Sequence, residues 1–419
     1  MISVEDAQSR ILSQIRPGPQ IETVSLTDAV GRVLADDIQS PMAVPPFTNT
    51  SMDGYAVIAD DTASATAEQP VRLRNLGTVS AGHPVQDAVT PGTCWKIMTG
   101  APVPPGANAV VPVEWTKTQS DGQVLIFRPV TPGAHLRWAG EDFQPGQAAL
   151  SRGTRLSPPQ VGILATLGWA EIPVARRPRI AILSTGDELR EPGQPLPAGT
   201  IHNSNSYALL AAVKEAGGEP ILFPPAPDRL DAIRETIRQA ESEADLIISS
   251  GGVSVGDFDL VKTVIEELGE LTFWRVNVKP GKPVAFGRVG SVPVLGLPGN
   301  PVSALVTFEL FVRPIIRRWL GDDQWQRPVV TLPLYRPFTE ITDRRHYVRS
   351  RLVIEDGHLR LWPHSNQGSA VQSSWADVDA LMIVPEHTGP YQRGDELPAM
   401  LLGLTALHAA HIDQNRKNP

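Results

Sequence analysis

The sequence has 419 residues, 41% hydrophobic and 20% charged, as is typical of a globular protein. Its formal net charge of −8 argues against a general nucleic-acid-binding protein. No apolar run reaches the ~20 residues that a membrane-spanning helix needs, and the first residues do not resemble a signal peptide. The single cysteine, Cys94, excludes an intrachain disulfide and a thiolate cluster. We therefore expect a cytoplasmic protein with roughly two to four domains and no membrane or nucleic-acid partner.

The N-terminal part of the chain predicts helices but little chemistry. Apolar residues recur at helical spacing over 3–16, and a second short helix is predicted over 25–34. Serine followed by two prolines at 157–159 is a helix-start signal, and that helix is predicted to end at Gly168. A strand is predicted over 171–175.

Short β-like runs separated by Pro and Gly predict a small β-rich domain before about Trp138. Three polar motifs lie in or beside this domain. Asp53-Gly54 is, on local grounds, a hairpin turn. Thr99 follows a strand and suits a cap or a turn, and Arg137 with Asp142 suits a surface ion pair that stabilises little.

Strands and helices alternate over 179–320, which predicts a mostly parallel sheet with helices on both faces. Sheets of this kind bind ligands beyond the carboxyl ends of their strands. The predicted strands cover 180–183, 220–223, 246–248, 271–276 and 292–295, and the predicted helices lie near 205–216, 228–242, 257–268 and 302–320.

A glycine-rich turn between a strand and a helix, over 246–259, is the centre of this unit. Gly251, Gly252 and Gly256 let the backbone approach a ligand closely. Free N–H groups and a helix N-terminus can then bind an anion. The turn matches neither the Walker loop nor the dinucleotide fingerprint. A tight connection without any ligand is an equally good interpretation of this turn alone.

Two further loops fall at predicted strand ends, 184–189 and 296–303, and Lys279 and Lys282 lie near them. Two ammonium groups so close in sequence can face one oxyanion, and lysine suits phosphate as a compact charge. Simpler interpretations exist for the other polar residues here. Glu188 can be a solvated acid, Asp228 is most simply a helix N-cap, and Asn300 can cap a helix and do nothing more.

The last part, 328–402, alternates strands and turns and predicts a small β-barrel or sandwich. Its candidates for chemistry are Arg349 and the loop that contains Ser369. The polar residues 403–419 are expected to form a frayed tail.

Seven motifs follow one another along the chain. They are Met52-Asp-Gly-Tyr-Ala56, Met98-Thr-Gly-Ala-Pro102, Gly140-Glu-Asp142, Ser184-Thr-Gly-Asp-Glu-Leu189, Ser250-Gly-Gly-Val-Ser-Val-Gly-Asp257, Lys279-Pro-Gly-Lys-Pro283 and Leu297-Pro-Gly-Asn-Pro-Val-Ser-Ala304. Together, in this order and spacing, they resemble the MoeA family. These are the molybdopterin molybdenumtransferases of molybdenum-cofactor biosynthesis, related to the C-terminal domain of gephyrin. The resemblance extends from residue 1 to about 402.

The resemblance implies a multidomain α/β plus β fold. Its centre is a doubly wound, mostly parallel α/β domain that binds molybdopterin, joined by two small β-rich domains and a discontinuous helical and β linker domain. The family also implies a homodimer with a shared active site. The implied boundaries are 1–45 with 139–177 for the discontinuous domain, 46–138 for the inserted domain, 178–321 for the α/β domain, 328–402 for the C-terminal β-barrel-like domain and 403–419 for the tail.

The implied reaction inserts molybdate into adenylylated molybdopterin and releases AMP, with Mg²⁺ or another divalent cation. The resemblance implies Asp53, Asp142, Glu188 and Asp259 as catalytic and metal-binding acids, with Lys279 and Lys282 also catalytic. A molybdopterin-adenylating protein and molybdoenzyme maturation proteins are implied as partners. Residues implied to bind substrate are Thr99, Arg137, Ser184, Thr185, Gly251, Gly252, Ser254, Gly256, Asp228, Pro298, Asn300, Pro301, Arg349 and Ser369.

Two other functions stay open. A non-catalytic molybdopterin carrier or scaffold would bind the pterin and leave the adenylate intact, but would not need Asp53 and Asp142. A nucleotide hydrolase would not need the inserted domain. The chain also departs from the family pattern in two places, at Val378-Asp379 and at the basic segment that ends in His346.

Overall fold

The computed structural model describes residues 1–15, 20–252 and 260–403. Three predicted site residues, Ser254, Gly256 and Asp259, lie outside this part. Within it, none of the helices combines the length and the apolar character that crossing a membrane requires.

The predicted N-terminal helix forms over Val4–Gln14. Ser3 caps it, because its hydroxyl accepts a hydrogen bond of 3.0 Å from the backbone N–H of Asp6. Ala7 and Ile11 bury its apolar face in the largest hydrophobic cluster among the described residues. The helix after Ser157 also forms, over Pro158–Thr166, with a capping box.

The prediction of a helix over 25–34 is wrong. A single 3₁₀ turn forms over Leu26–Asp28, and Val33 and Leu34 then form β-bridges to Arg155 and Val174. Pairing with a distant segment has overridden a weak local preference for helix.

Segments from the two ends of the N-terminal region pair with one another. Strand Ile21–Ser25 pairs antiparallel with Glu171–Ala175. A shorter pair, Ile38–Gln39 with Ala148–Leu150, joins the same regions, and Asn49–Thr50 pairs with Leu136–Arg137 within 46–138.

The residues between these pairs form a six-stranded sheet, here called the inserted sheet. The hairpin interpretation of Asp53-Gly54 is wrong, because Gly54 opens a central strand that pairs on both sides. A Cβ at Gly54 would lie 2.0 Å from the Val111 carbonyl oxygen, so the close approach of two strands requires glycine. In spatial order the strands are Ala109–Pro112, Gly54–Val57, Thr93–Ile97, Val71–Val79, Gln123–Ile126 and Thr116–Thr118, with 3₁₀ turns at Ala59–Thr62 and Val113–Trp115.

The second six-stranded sheet, here called the α/β sheet, confirms the predicted mostly parallel arrangement. Its first four strands are parallel neighbours, and the last two are antiparallel. The strand Ala285–Val289 was not predicted. In spatial order the strands are Glu219–Leu222, Arg179–Ser184, Leu246–Ser250, Val292–Leu297, Ala285–Val289 and Gly269–Trp274.

Helices cover the α/β sheet over Ser204–Ala216, Leu230–Glu243 and Leu260–Leu268. The predicted helix near 302–320 is interrupted. Its α-helical segments, Pro301–Thr307 and Arg313–Trp319, flank a π-helical stretch over Phe308–Val312. Pro314 accounts for the interruption, because it has no N–H to donate and its ring collides with the carbonyl four residues earlier.

The third six-stranded sheet, here called the C-terminal sheet, contains one strand from outside the C-terminal region. Val278–Lys279 pairs parallel with Arg345–Glu355, with Lys279 opposite His346. The α/β unit and the C-terminal unit therefore share a sheet. Its other strands are Ala380–Val384, Glu396–Leu401, Val329–Pro333 and His358–Pro363, with a 3₁₀ turn at Gln372–Trp375.

Candidate active site

A cleft of about 1380 Å³ lies between the carboxyl ends of the α/β strands and the loops of the C-terminal sheet. A short parallel pair, Leu189–Arg190 with Ile201–His202, forms part of its wall. The predicted residues that line it are Ser184, Thr185, Glu188, Asp228, Gly251, Gly252, Lys279, Lys282, Pro298, Asn300, Pro301 and Ser369.

Two serines at strand ends form the floor of the cleft. Ser184 and Ser250 lie opposite each other on adjacent parallel strands. The amide nitrogen of Asn203 donates to the Ser184 hydroxyl at 3.2 Å, and that of Asn205 donates to the Ser250 hydroxyl at 2.8 Å. Sequence reasoning missed both asparagines, although Asn203, as the N-cap of helix Ser204–Ala216, gives a detectable signal.

The glycine turn begins two residues later than predicted, because the strand Leu246–Ser250 continues through Ser249 and Ser250. Gly251 and Gly252 have φ angles of +96° and +69°, a region that other residues rarely adopt. A Cβ at Gly252 would lie 2.5 Å from the buried Val261 side chain. Both the backbone conformation and the packing therefore require glycine at Gly252.

Asn300 connects the α/β unit to the C-terminal unit. It is the N-cap of helix Pro301–Thr307, as predicted, but its side chain does not cap that helix. Instead its amide donates to the Ser369 hydroxyl at 3.0 Å, and the Val302 N–H donates to the Ser369 carbonyl at 3.1 Å. A capping role alone does not account for Asn300.

Arg349 supports the loop that presents Ser369. The arginine is 1% exposed, and its guanidinium donates to the carbonyls of Asn366 and Gly368 and to the Ser374 hydroxyl. Burial lowers the pKa of Arg349 to about 10, and the group remains charged near neutral pH. Arg349 thus shapes the cleft wall from behind, and direct contact with an anion stays a prediction.

Carboxylates crowd one side of the cleft. Burial first, and then the charges of Asp187 and Glu188, raise the pKa of Asp228 above its usual value. The N-cap interpretation of Asp228 is wrong, because helix Leu230–Glu243 begins after Arg229. Asp228 is therefore available to a ligand, and a cation beside it would relieve the repulsion.

The predicted acids and polar residues of the N-terminal half lie outside this cleft. Asp53 accepts hydrogen bonds from the Thr99 N–H at 2.7 Å and from its hydroxyl at 2.6 Å, and these bonds hold the pKa of Asp53 below its usual value. Arg137 and Asp142 are exposed. In the single chain, these four residues form no part of the cleft wall.

The C-terminal unit also adds charged residues to the cleft, namely Arg336, Glu340 and Arg344. Sequence reasoning missed Arg336 and Glu340, which no local motif marks, and noted Arg344 only within the basic segment that departs from the family pattern. Across the described ranges, no group of three or more His, Cys, Asp or Glu side chains is arranged to hold a metal ion.

Comparisons with known proteins cover nearly the whole chain. Three family models match in succession. They are described as "MoeA N-terminal region (domain I and II)" over residues 2–168, "Probable molybdopterin binding domain" over 181–318 and "MoeA C-terminal region (domain IV)" over 331–402.

Individual relatives also match this chain over nearly its full length. The molybdopterin molybdenumtransferase 2 of Mycobacterium tuberculosis is 41% identical over 95% of this chain and 98% of its own. The molybdopterin molybdenumtransferase of Haemophilus influenzae is 35% identical over 94% and 97%. The crystal structure of the molybdopterin biosynthesis MoeA protein from Pyrococcus horikoshii OT3 superposes with a TM-score of 0.82 at 32% identity, covering 96% of this chain and 100% of that one.

Proposed function

Because this chain belongs to the MoeA family, we propose that it is a molybdopterin molybdenumtransferase, an enzyme of molybdenum-cofactor biosynthesis. The observation that supports this activity best is the convergence of the glycine turn, Lys279 and Lys282 on one cleft at the carboxyl ends of parallel strands. Open α/β sheets bind ligands at such edges.

The substrate that we propose is adenylylated molybdopterin, which carries a pyrophosphate, with molybdate as a second anion. The ammonium groups of Lys279 and Lys282 attract both anions without demanding a fixed bond direction. Gly251 and Gly252 line the cleft; the Gly251 N–H is bonded to the Leu297 carbonyl at 3.1 Å, so the N–H that we assign to an anion at this turn is that of Gly252. Ser369 and Asn300 supply neutral hydrogen-bonding groups in the same cleft.

A divalent cation, Mg²⁺ or a similar ion, fits the donors on the acidic side. Glu188 and Asp228 are hard oxygen donors in one cleft, and the pKa of Asp228 is raised by burial first and then by the negative charges of Asp187 and Glu188. Mg²⁺ usually takes only one or two protein carboxylates together with substrate phosphates, so a preformed three-residue site is unnecessary. The bound ion would neutralise phosphate charge, while Glu188 and Asp228 fix its place.

We further propose that the chain forms a homodimer with a shared active site. The Asp53–Thr99 pair, Arg137 and Asp142 are solvent-exposed and outside the cleft of their own chain. Large apolar side chains in the same region are also exposed, including Phe47 at 44% and Trp138 at 52%. Burial of such side chains is typical of an interface. The N-terminal polar residues of one subunit would then face the cleft of the other.

The experiment is an AMP-release assay with adenylylated molybdopterin, Mg²⁺ and molybdate. We expect molybdate to stimulate AMP release and Glu188→Gln to abolish the stimulation. Binding of the pterin with the adenylate left intact would instead identify a carrier. AMP release without molybdate dependence would identify a hydrolase.

Mixing inactive Glu188→Gln with inactive Asp53→Asn subunits tests the dimer, since a shared site restores part of the activity. A cytoplasmic location and contacts with a molybdopterin-adenylating protein and molybdoenzyme maturation proteins complete the proposal.

A further inference from the structure

The two lysines of the cleft have different surroundings. The Lys279 ammonium forms an ion pair with the carboxylate of Glu340, which precedes strand Arg345–Glu355. Among the residues that the structure describes, no carboxylate pairs with Lys282. If both lysines hold substrate oxyanions, the positive charge of Lys279 is already neutralised by Glu340 before the substrate binds.

The C-terminal sheet holds Glu340 in this position. Phe338, two residues earlier, exchanges backbone hydrogen bonds of 3.0 and 2.8 Å with Tyr391, and its ring packs 5.8 Å from that of His346. The backbone of Lys279 pairs with His346 in the same sheet. The carboxylate and the ammonium are therefore brought together by ordered elements on both sides.

The ion pair is held weakly despite its ordered surroundings. Glu340 is 42% exposed and Lys279 25% exposed, and ion pairs open to solvent stabilise a protein little. His346 is fully buried with its Nδ1 at 3.8 Å from Glu340. Burial, and then the charge of Lys279, lower the pKa of His346 to about 4, so the ring is neutral at pH 7 and adds no charge that would retain the carboxylate.

We propose that Glu340 is an internal competitor for Lys279 and thereby a specificity-determining residue. Its carboxylate occupies the position of a substrate oxygen until a ligand displaces it. A singly charged ligand that reaches only Lys279 gains little binding free energy, because it replaces the Glu340 carboxylate with another single negative charge. A phosphate or molybdate dianion carries more charge and can reach Lys282 as well, so it displaces Glu340. This role rests on the proposed function in assigning the cleft to anionic substrates.

The test uses the full-length protein and two inorganic probes, phosphate and molybdate, in separate calorimetric titrations. Glu340→Gln removes the charge at nearly constant volume. Glu386→Gln is the matched control, because Glu386 pairs with Arg345 at 3.6 Å in the same region but does not line the cleft. Lys279→Ala, alone and combined with Glu340→Gln, shows whether the effect depends on Lys279. Thermal unfolding verifies that each variant is folded.

We expect Glu340→Gln to lower the Kd of both probes about threefold to tenfold, the range expected for release of one exposed ion pair. Glu386→Gln should leave the Kd unchanged, and Glu340→Gln should have no effect in the Lys279→Ala background. A Kd that stays the same or rises in folded Glu340→Gln, or the absence of any binding to it, would overturn the proposal. The phosphate titration needs no molybdenum chemistry. A wild-type protein that fails to release AMP would therefore count against the proposed function and leave this result intact.

Discussion

Replacing Gly252 with alanine tests whether the glycine turn is required by packing as well as by backbone conformation. The φ angle of +69° costs a residue with a Cβ about 1–2 kcal/mol. The new methyl group would also lie 2.5 Å from the Val261 side chain, which is 1% exposed. Overpacking of this kind costs about 1–3 kcal/mol more. We therefore expect Gly252→Ala to destabilise the protein by about 2–5 kcal/mol in total.

Gly357 provides the matched control. Its φ angle is +78°, but a Cβ there would meet nothing within 4 Å. Gly357→Ala should therefore show the backbone cost alone, about 1–2 kcal/mol. The difference between the two variants, measured by urea unfolding, isolates the collision with Val261.

A double variant strengthens the test. Val261→Ala alone should destabilise by about 2 kcal/mol through loss of buried surface, but in the Gly252→Ala background it makes room for the added methyl group. The double variant should thus lose less stability than the sum of the two single changes. Equal stability of Gly252→Ala and Gly357→Ala, or strict additivity with Val261→Ala, would refute the packing argument.

Three further outcomes are expected. Arg349→Ala should destabilise by about 2–4 kcal/mol, because several buried acceptors of the loop before Ser374 lose their donor, and circular dichroism melts together with weaker pterin binding would show it. Asn300→Ala removes the hydrogen bond to Ser369 and should lower the free energy of unfolding by about 0.5–1.5 kcal/mol. Because this bond positions two residues of the cleft wall, KM should also rise with little change in kcat, and an unchanged KM would contradict a role in the cleft. Thr99→Val removes the hydroxyl bond to Asp53, and NMR titration should show the carboxyl pKa rising. The folded-state pKa of Asp53 is lowered, so its contribution to stability is present above the unfolded pKa and is lost as pH falls through the folded pKa. Thr99→Val should therefore weaken the loss of stability at acid pH. An unchanged pKa of Asp53 would contradict the conclusion that the Thr99 hydroxyl lowers it.

Local signals in the sequence were sufficient for elements whose structure is fixed locally. Ser3 caps the first helix, and Ser157 with Gln160 forms a capping box, because these contacts lie within a few residues. The glycine turn follows a strand, as the pattern predicts, although that strand runs two residues further than predicted, to Ser250. In each case the residues that determine the structure are neighbours in the chain.

The predictions failed where distant segments decide the structure. Residues 25–34 have helical spacing, yet Leu34 pairs with Val174. Asp53-Gly54 has the composition of a hairpin turn, yet a strand that passes against Val111 needs glycine at that point. Neither outcome is encoded within a short window, because the competing partner lies far along the chain.

The same distinction applies to the residues of the candidate site, some of which were identified from the sequence while others were missed. Motifs identified the lysines and the glycine turn, whose chemistry is local. Asn205, which donates to Ser250 and to the Gly299 carbonyl, was missed because its partners come from two other loops. Glu340, which lies 61 positions after Lys279 in the sequence, was missed for the same reason.

The contacts between the α/β unit and the C-terminal unit determine which parts of the cleft can move. Lys279 pairs with His346 through a shared sheet, and Asn300 bonds to Ser369 as a second, separate connection. Two separate connections of this kind resist rotation of one unit against the other. The Glu340 carboxylate, by contrast, needs only a side-chain rotation to leave Lys279, since it is partly exposed and its ion pair stabilises little. Freeing the Lys279 ammonium group therefore requires no separation of the two units, because moving one side chain is sufficient.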